Sequence, residues 1–389
     1  MSSATKVCPV LMSYEELKSG KDLCQIVEKA FGYNGLGIIG IYGIEEVGKL
    51  REAVFRDGFK FATMDEHVKA KYEHKDSYYG FGWSHGKENL QGYPDYSKGS
   101  FYNNPLVNKP FEDPGMVDKL PAFASPNLWP SQEVPSLEKN FMNMGKLVVK
   151  VGTMVAAQCD KFVSSKCKTY EKNRLYRMIS TNKVCKARLL HYFPIEEKNQ
   201  HSREGKQSED EKSSKKMQDP FSNWCGWHND HSSLTGLVLG QFVNTKSGEF
   251  IESPDPDAGL YIRSRKGKLY QITLPKDKDI HVGNTLLFQI GESSQIHSGG
   301  QLQATPHAVR GARVPNVSRE SYAVFMQPSW DELMDVPKGV KPQNAQSAQA
   351  AEHLPSRVPT LASRYGTKAC PFTSCNYSAF NAESLAAYH

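Results

Sequence analysis

The chain has 389 residues, of which 39% are hydrophobic and 11% aromatic, so it can bury a sizeable core in one or two domains. Its net charge of +6, from 48 basic and 42 acidic residues, is too small an excess to indicate nucleic-acid binding. The longest apolar stretch near the start, residues 36–44, is far shorter than the ~20 residues of a membrane-spanning helix. The first fifteen residues also lack the apolar segment of a secretory signal, so we expect a cytoplasmic protein with no membrane partner.

The first 185 residues are predicted to be rich in helices. SYEELKSGKDLCQIVEKAFG (13–32) and DEHVKAKYEH (65–74) are helix-like, whereas the apolar, Gly-punctuated stretch 36–44 suits a buried strand. Residues 78–135 are rich in Gly, Pro, Asn and Tyr, which favours long ordered loops. An amphipathic helix follows, because apolar residues recur at steps of four and three. These residues are Leu137, Phe141, Met144, Val148, Val151 and Val155.

After about residue 185 the pattern changes to short strands. KLYQITLP (268–275), TLLFQIG (285–291) and SYAVFMQP (321–328) all have strand-like patterns. Helices followed by many short strands predict a sandwich or barrel supported by helices. We expect one compact unit, in which residues 1–185 form an N-terminal, helix-rich supporting region. Residues 338–389 form a C-terminal tail whose last dozen residues are compatible with a short helix.

Two polar stretches and the cysteines have their own predictions. Residues 196–220 contain almost no apolar side chains and predict a mobile surface insertion. Nine Lys or Arg residues face the single acid Glu171 between residues 161 and 188, which indicates either a solvated helix face or an anion-attracting rim. The eight cysteines are scattered, and only Cys370 and Cys375 are close together, which is typical of reduced thiols in an intracellular protein.

The segment GWHNDHSSLTG (226–236) carries a candidate metal-binding pair. His228 and Asp230 are two residues apart, a spacing that places both side chains on one face of a strand, and ATPHAVRG offers His307 as a third ligand. Two imidazoles and one carboxylate leave coordination positions open, as non-haem iron(II) oxygenases require. His231 would point to the opposite face, so we expect it to have a structural role or to contact a metal ligand without binding the metal itself. His297, in the turn-like QIHSGG, is predicted to lie on the surface.

A candidate anion anchor follows the third histidine. Arg319 and Ser321, in NVSRESYAVF, have the spacing that puts both on one face of a strand. An arginine beside a hydroxyl makes charge-assisted hydrogen bonds to a carboxylate. The separation from His307 is one that a single hairpin spans. The pair therefore predicts a carboxylate-binding site near the metal.

This ordered pattern resembles the Fe(II)/2-oxoglutarate-dependent dioxygenase superfamily, in the branch related to isopenicillin N synthase. ARLLHYFP (187–194) resembles the first core strand of that superfamily, and the likeness covers roughly residues 30–330. YGFGWSHGKENLQGYPDYSKGSFYNNP and NWCGWHNDHSSLTGL look close to a eukaryotic group within that branch. The resemblance implies a mainly β fold with supporting helices. Its catalytic core would be a distorted double-stranded β-helix, or jelly roll, over residues 186–330.

The resemblance also implies an activity. His228, Asp230 and His307 would hold Fe(II), while Arg319 and Ser321 would bind 2-oxoglutarate. The enzyme would couple 2-oxoglutarate decarboxylation and O2 to the hydroxylation or oxidation of an unidentified small-molecule substrate. Tyr192 would donate a hydrogen bond to the cosubstrate.

Several alternatives stay open. His191, Tyr192 or Phe193 could be the residue that faces the iron. An isopenicillin N synthase-like oxidase would use the same iron without 2-oxoglutarate, and its Arg/Ser pair would bind the substrate's carboxylate. A catalytically silent jelly roll would keep the metal and bind a ligand or partner protein. The sequence does not indicate the substrate or the oligomeric state.

Overall fold

Two β-sheets backed by helices form the core of the molecule. The computed structural model describes residues 4–87, 89–90, 93–195, 224–347, 353–355 and 358–388. The predicted insertion at 196–220 lies outside these residues. The strands are β1 Thr5–Val7, β2 Val10–Ser13, β3 Ile38–Tyr42, β4 Gly82–His85, β5 Asn89–Leu90, β6 Tyr93–Pro94, β7 Lys98–Asn103, β8 Lys186–Tyr192, β9 Cys225–His228, β10 Leu234–Asn244, β11 Phe250–Ile251, β12 Gly259–Arg263, β13 Leu269–Ile272, β14 Leu286–Ile290, β15 His307–Arg310 and β16 Val317–Met326. The helices are α1 Tyr14–Lys18, α2 Cys24–Phe31, α3 Glu46–Ala62, α4 Glu66–Lys69, α5 Pro114–Lys119, α6 Pro121–Ala124, α7 Leu137–Lys166, α8 Arg174–Thr181, α9 Glu292–His297, α10 Pro342–Ser347 and α11 Tyr377–Tyr388.

The smaller sheet has the strand order β1-β13-β12-β15-β9, and the larger one has the order β2-β3-β14-β10-β16-β8-β7-β4, with β11 beside β10. Both sheets are mixed, because β1 pairs with β13 and β2 pairs with β3 in parallel. The N-terminal region therefore supplies strands to both sheets in addition to helices. The prediction of a β-rich core supported by helices is confirmed.

Alternation along the strands separates an inner from an outer face of the larger sheet. Apolar residues on the outer face, such as Leu189 and Tyr322, join the main core beneath α3 and α7. Residues on the inner face, such as Leu190 and Tyr192, pack instead with Val309 of the smaller sheet. The inner faces of the two sheets therefore meet, and the space between them is where sites can form.

Several predicted elements form as expected, and two predictions do not hold. Residues 78–135, predicted as long loops, contain the strands β4 to β7 and the helices α5 and α6. The periodic helix is present as α7, and its six predicted apolar residues are buried. The predicted helix 13–32 is instead broken into α1 and α2. Gly20 adopts a φ of +72°, a left-handed conformation that glycine accepts readily and that ends a helix.

The C-terminal segment packs against helices and connecting segments from earlier in the chain. Tyr365, Tyr377 and Phe380 are buried in a cluster that also contains Phe123 and Ile296 from earlier in the chain. The predicted terminal helix forms as α11. Residues 358–388 therefore belong to the packed structure of the protein.

Two further expectations can be compared with the structure. Cys370 and Cys375 form a disulfide with a Cα–Cα distance of 4.6 Å, so the expectation of reduced thiols is wrong for this pair. The turn between them brings the two Cα atoms within the range that a disulfide spans. The other six cysteines are free. Within the described part of the chain, no helix is long and apolar enough to cross a membrane.

Candidate metal centre and carboxylate anchor

His228, Asp230 and His307 converge between the sheets. His228 ends β9 and His307 begins β15, and the two residues are direct partners in the antiparallel ladder. Their Nε2 atoms lie 3.7 and 3.8 Å from Oδ1 of Asp230, and their ring centroids are 4.2 Å apart. One candidate ligand atom from each residue lies within 4.8 Å of the others. Among the described residues this is the one group of His, Cys, Asp or Glu side chains with the spacing of a metal site.

Asp230 reaches this position from a turn and not from the strand. β9 ends at His228, so the predicted strand alternation does not extend to Asp230. The Asp230 carbonyl instead accepts a hydrogen bond from the Glu292 backbone N–H at 2.8 Å. The Ser293 hydroxyl also donates to the His231 carbonyl at 2.6 Å. The start of α9 therefore fixes the turn that carries Asp230.

The two histidines present the same ring nitrogen to the carboxylate. Nδ1 of His228 lies 2.8 Å from the Gly226 carbonyl, and Nδ1 of His307 lies 3.3 Å from the Thr305 carbonyl. A backbone carbonyl accepts from the protonated ring nitrogen, which leaves the lone pair on Nε2. Each Nε2 is therefore the atom available as a metal ligand.

The electrostatics of Asp230 fit a bound cation. The residue is 7% exposed, and its buried Oδ2 has no hydrogen-bond partner within the described part of the chain. Burial alone would raise the pKa of Asp230, but the adjacent His307 and His228 bring it below its ordinary value. A buried carboxylate with an unpartnered oxygen is costly unless a positive charge compensates it. A divalent ion held by two imidazoles and this carboxylate satisfies that requirement.

Arg319 and Ser321 lie on the inner face of β16. Arg319 is the ladder partner of both Tyr192 and Phe242, and its guanidinium carbon lies 5.5 and 5.9 Å from their ring centroids. Burial lowers the pKa of Arg319, and Tyr192 and Glu320 partly offset this. The arginine is therefore a cation held between aromatic rings on the face that looks toward the smaller sheet.

Tyr192 is the member of His191-Tyr192-Phe193 that shares the face of Arg319. Its ring stacks on Trp224 with centroids 5.2 Å apart, within the cluster that joins the two sheets. His191 points to the opposite face, where its Nδ1 lies 2.5 Å from Oε1 of the buried Glu320. Phe193 stacks on His85 with centroids 4.7 Å apart. The role of Tyr192 as a donor to the cosubstrate stays a prediction.

The sequence predictions for His297 and His231 have different outcomes. The prediction that His297 lies on the surface is wrong, because it is 1% exposed and its Nε2 lies 2.9 Å from the Leu333 carbonyl. Its local sequence is turn-like, but the C-terminal segment covers the helix on which it lies. His231 is half-buried, and burial lowers its pKa, while the nearby Glu292 partly offsets this effect. Its supporting role stays a prediction.

The basic stretch 161–188 is neither a uniform solvated face nor a rim of unpaired cations. Arg174 donates to Glu332 at 3.2 Å and to Asp335 at 2.5 Å, and Lys166 pairs with Glu28 at 2.9 Å. Arg188 lies on the inner face of β8 and donates to the Ser100 hydroxyl at 2.8 Å. Much of this charge is therefore already engaged by specific acceptors.

Two features around the site had no signal in the sequence. Arg364 binds Glu292 beneath the Asp230 turn, and Arg51 binds the β10 backbone beneath Arg319. Both arginines come from segments distant in sequence from their partners. Only the tertiary fold brings each arginine to its partner.

Solved structures share the architecture of this chain, whereas the sequence comparisons find no match. No family model matches the chain, and no curated protein matches it in sequence. A Caulobacter crescentus structure described as a 2OG-Fe(II) oxygenase family protein matches with a TM-score of 0.61 at 17% identity, over 98% of this chain and 99% of that one. A full-length Neurospora crassa protein, solved in complex with alpha-KG and thymine, matches with a TM-score of 0.62 at 17% identity, over 100% and 99% of the two chains. A rice dioxygenase for auxin oxidation matches with a TM-score of 0.53 at 15% identity, over 98% and 95%.

The chain therefore has the fold of the 2OG-Fe(II) oxygenases, and the predicted double-stranded β-helix core is confirmed. At these identities the likeness establishes the shared fold. It spans nearly the whole length of each structure, so the N-terminal helices and the C-terminal segment belong to the same architecture. None of the three likenesses singles out the isopenicillin N synthase branch.

Proposed function

We propose that this chain is a non-haem Fe(II) oxygenase that uses 2-oxoglutarate as cosubstrate and acts on a small molecule. The observation that carries the proposal is the convergence of His228, Asp230 and His307 with an unpartnered buried oxygen on Asp230. Two imidazoles and one carboxylate suit Fe(II) and leave positions open for other ligands. The shared fold with the Neurospora crassa protein, whose structure contains alpha-KG and thymine, supports the choice of cosubstrate and the small size of the substrate.

The chain's own residues would bind and orient the reactants. The two histidines, His228 and His307, would hold the metal through their Nε2 atoms, and Asp230 would hold it through a carboxylate oxygen. Arg319 and Ser321 would bind the distal carboxylate of 2-oxoglutarate, and the aromatic rings of Tyr192 and Phe242 would keep that guanidinium partly shielded from water. When bound, Fe(II) and 2-oxoglutarate supply the oxidising chemistry: one O2 is consumed, succinate and CO2 leave, and one oxygen atom enters a C–H bond of the substrate. The protein's contribution is placement and the exclusion of water.

The test has two stages. Metal-free protein is titrated anaerobically with Fe(II) and then with 2-oxoglutarate in a calorimeter, and succinate is measured after O2 is admitted. We expect one Fe(II) per chain, 2-oxoglutarate binding that depends on the metal, and slow succinate formation without substrate. Iron binding without 2-oxoglutarate binding would favour the oxidase that draws its electrons from the substrate alone. Failure to bind iron would contradict the proposal, and iron binding without any succinate formation would favour the catalytically silent jelly roll.

A further inference from the structure

Strand β10 contains a bulge beside Arg319. In the ladder with β16, Val238 pairs with Tyr322 and Gln241 pairs with Glu320, so three steps along β10 match two steps along β16. The extra residue lies within Leu239–Gly240. A bulge takes backbone groups out of the regular ladder and bends the strand. The next pair after it, Phe242 with Arg319, contains the candidate carboxylate anchor.

Arg51 of α3 binds the backbone of this bulge from the outer side of the sheet. Its Nε donates to the Leu239 carbonyl and its Nη2 to the Gly240 carbonyl, both at 2.7 Å, and its Nη1 donates to Oε1 of Gln241 at 3.0 Å. The residue is only 7% exposed. Buried carbonyls that leave a ladder need other donors, and the planar guanidinium supplies three in fixed directions. Arg51 therefore holds three consecutive residues of the bulge in one geometry.

Gly240 forms the surface on which the Arg319 guanidinium lies. A Cβ at Gly240 would come within 2.4 Å of Cζ, Nε and Nη2 of Arg319, so the end of this flexible side chain would have to move. The absence of a side chain at this position therefore makes room for the anchor. Arg51 and Arg319 are near enough that, after burial, the charge of Arg319 further lowers the pKa of Arg51, to about 10. Arg51 thus binds the backbone of the β10 bulge from the outer side of the sheet, and Arg319 lies against the same backbone on the inner side.

We propose that Arg51 is a positioning residue for the cosubstrate anchor: it fixes the Leu239–Gly240 bulge, and the bulge fixes where the Arg319 guanidinium lies. The proposal rests on the proposed function, because it assigns 2-oxoglutarate to Arg319. Arg51 contacts neither the candidate metal ligands nor Arg319 by any hydrogen bond among the described residues. Its influence would pass through the β10 backbone.

Substitutions at Gly240 and at Arg51 test the positioning role in different ways. Gly240→Ala leaves Arg51 intact and places a methyl group where the Arg319 guanidinium lies. Arg51→Met keeps the aliphatic volume and removes all three donors, while Arg51→Lys keeps the charge but cannot reproduce the fork. Gly236→Ala is the matched control: it is on the same strand but on the outer face, where its Cβ would meet Val148 Cγ1 at 2.2 Å. That control disturbs packing without touching the anchor.

The experiment measures 2-oxoglutarate affinity and Fe(II) affinity separately, by anaerobic calorimetry, together with thermal stability. We expect Gly240→Ala and Arg51→Met each to weaken 2-oxoglutarate binding on the order of 10-fold or more, because a charge-assisted contact is misplaced. Arg51→Lys should lie between wild type and Arg51→Met. Fe(II) affinity should be unchanged in all of them. Gly236→Ala should lower the melting temperature yet bind 2-oxoglutarate as wild type does.

The outcomes separate the two proposals. Wild-type affinity for 2-oxoglutarate in folded Gly240→Ala would overturn the positioning role, and so would equal weakening by Gly236→Ala. Wild-type affinity in folded Arg51→Met would overturn it as well; if Arg51→Met does not fold, Arg51→Lys, which keeps the charge and most of the aliphatic stem but loses the fork, takes its place. A wild-type protein that binds Fe(II) but no 2-oxoglutarate would overturn the proposed function first, and the positioning role with it.

Discussion

Arg364 and Glu292 form a bidentate ion pair that is almost wholly buried, with Nη1 and Nη2 each 2.6 Å from a different carboxylate oxygen. The two side chains are 1% and 0% exposed. Glu292 also accepts from the Asn229 amide at 3.1 Å, and its backbone N–H donates to the Asp230 carbonyl. The C-terminal segment is thereby joined to the turn that carries a candidate metal ligand.

Loss of this arginine should destabilise the protein strongly. Arg364→Met leaves a buried carboxylate without its partner, so we expect the free energy of unfolding to fall by about 3–5 kcal/mol. Urea unfolding of the metal-free protein measures the change. Arg56→Met is the control, because Arg56 and Glu52 form an exposed ion pair with side chains 56% and 58% exposed, which is worth ~0–1 kcal/mol. Similar losses in the two variants would show that the Arg364 pair is not the link described.

Metal binding should depend on the three converging side chains and not on their neighbour. We expect Asp230→Ala and His307→Ala each to abolish stable Fe(II) binding and activity, because two remaining ligands hold a labile divalent ion poorly. His231→Ala should retain iron. Iron content after anaerobic loading and desalting measures this. Loss of iron from the His231 variant together with retention in the Asp230 variant would contradict the assignment.

The carboxylate anchor should respond in a graded way. Arg319→Ala should weaken 2-oxoglutarate binding by about 2–4 kcal/mol, or roughly 30- to 1000-fold, because the carboxylate loses its cationic partner. Arg319→Lys should weaken it less, since the charge remains but the bidentate geometry is lost. Ser321→Ala should cost about 1 kcal/mol. Anaerobic calorimetry measures all three. Unchanged affinity in Arg319→Ala would place the anchor elsewhere.

Lys186 should make stability rise with pH. This half-buried side chain donates to the Ala122 carbonyl at 2.7 Å, and burial lowers its pKa from 10.5 to about 7. Between pH 7 and 10.5 the unfolded chain holds the proton that the folded chain has lost, so folding is favoured increasingly as pH rises through this range. The gain is at most ~1.4 kcal/mol per pH unit and is reduced by the residual exposure of the side chain.

The comparison for this prediction is Lys186→Met, which keeps the aliphatic stem and removes the titrating group. Urea unfolding at pH 7, 8 and 9 should give a steeper increase in stability for wild type than for the variant. Parallel pH profiles would mean that Lys186 keeps its proton in the folded state.

The sequence predictions that the structure confirms depend on local periodicity. The apolar steps from Leu137 to Val155 specify a buried helix face because the helical repeat is a local property. His228, His307 and Arg319 lie in strands, and Asp230 follows the end of a strand by two residues; their functional roles stay predictions. The burial of His297 was not readable, since it depends on the segment that covers it.

Long-range contacts account for what the sequence did not reveal. Nothing near Glu292 indicates that Arg364 will reach it, and nothing near Gly240 indicates Arg51. The conformation of Asp230 illustrates the same limit. His-x-Asp spacing places the two side chains together on a strand, but here a hydrogen bond from Glu292 places Asp230 in a turn.

The parallel pairing of β1 with β13 has a consequence for how the protein is made. Thr5 pairs with Tyr270, so an edge of the smaller sheet depends on a partner synthesised much later. β2 and β3 similarly join the larger sheet through β14. Contacts between such distant segments form slowly because the loop between them must close first. Newly synthesised N-terminal strands therefore remain with open hydrogen-bonding edges until most of the chain has left the ribosome, which is the period when aggregation competes with folding.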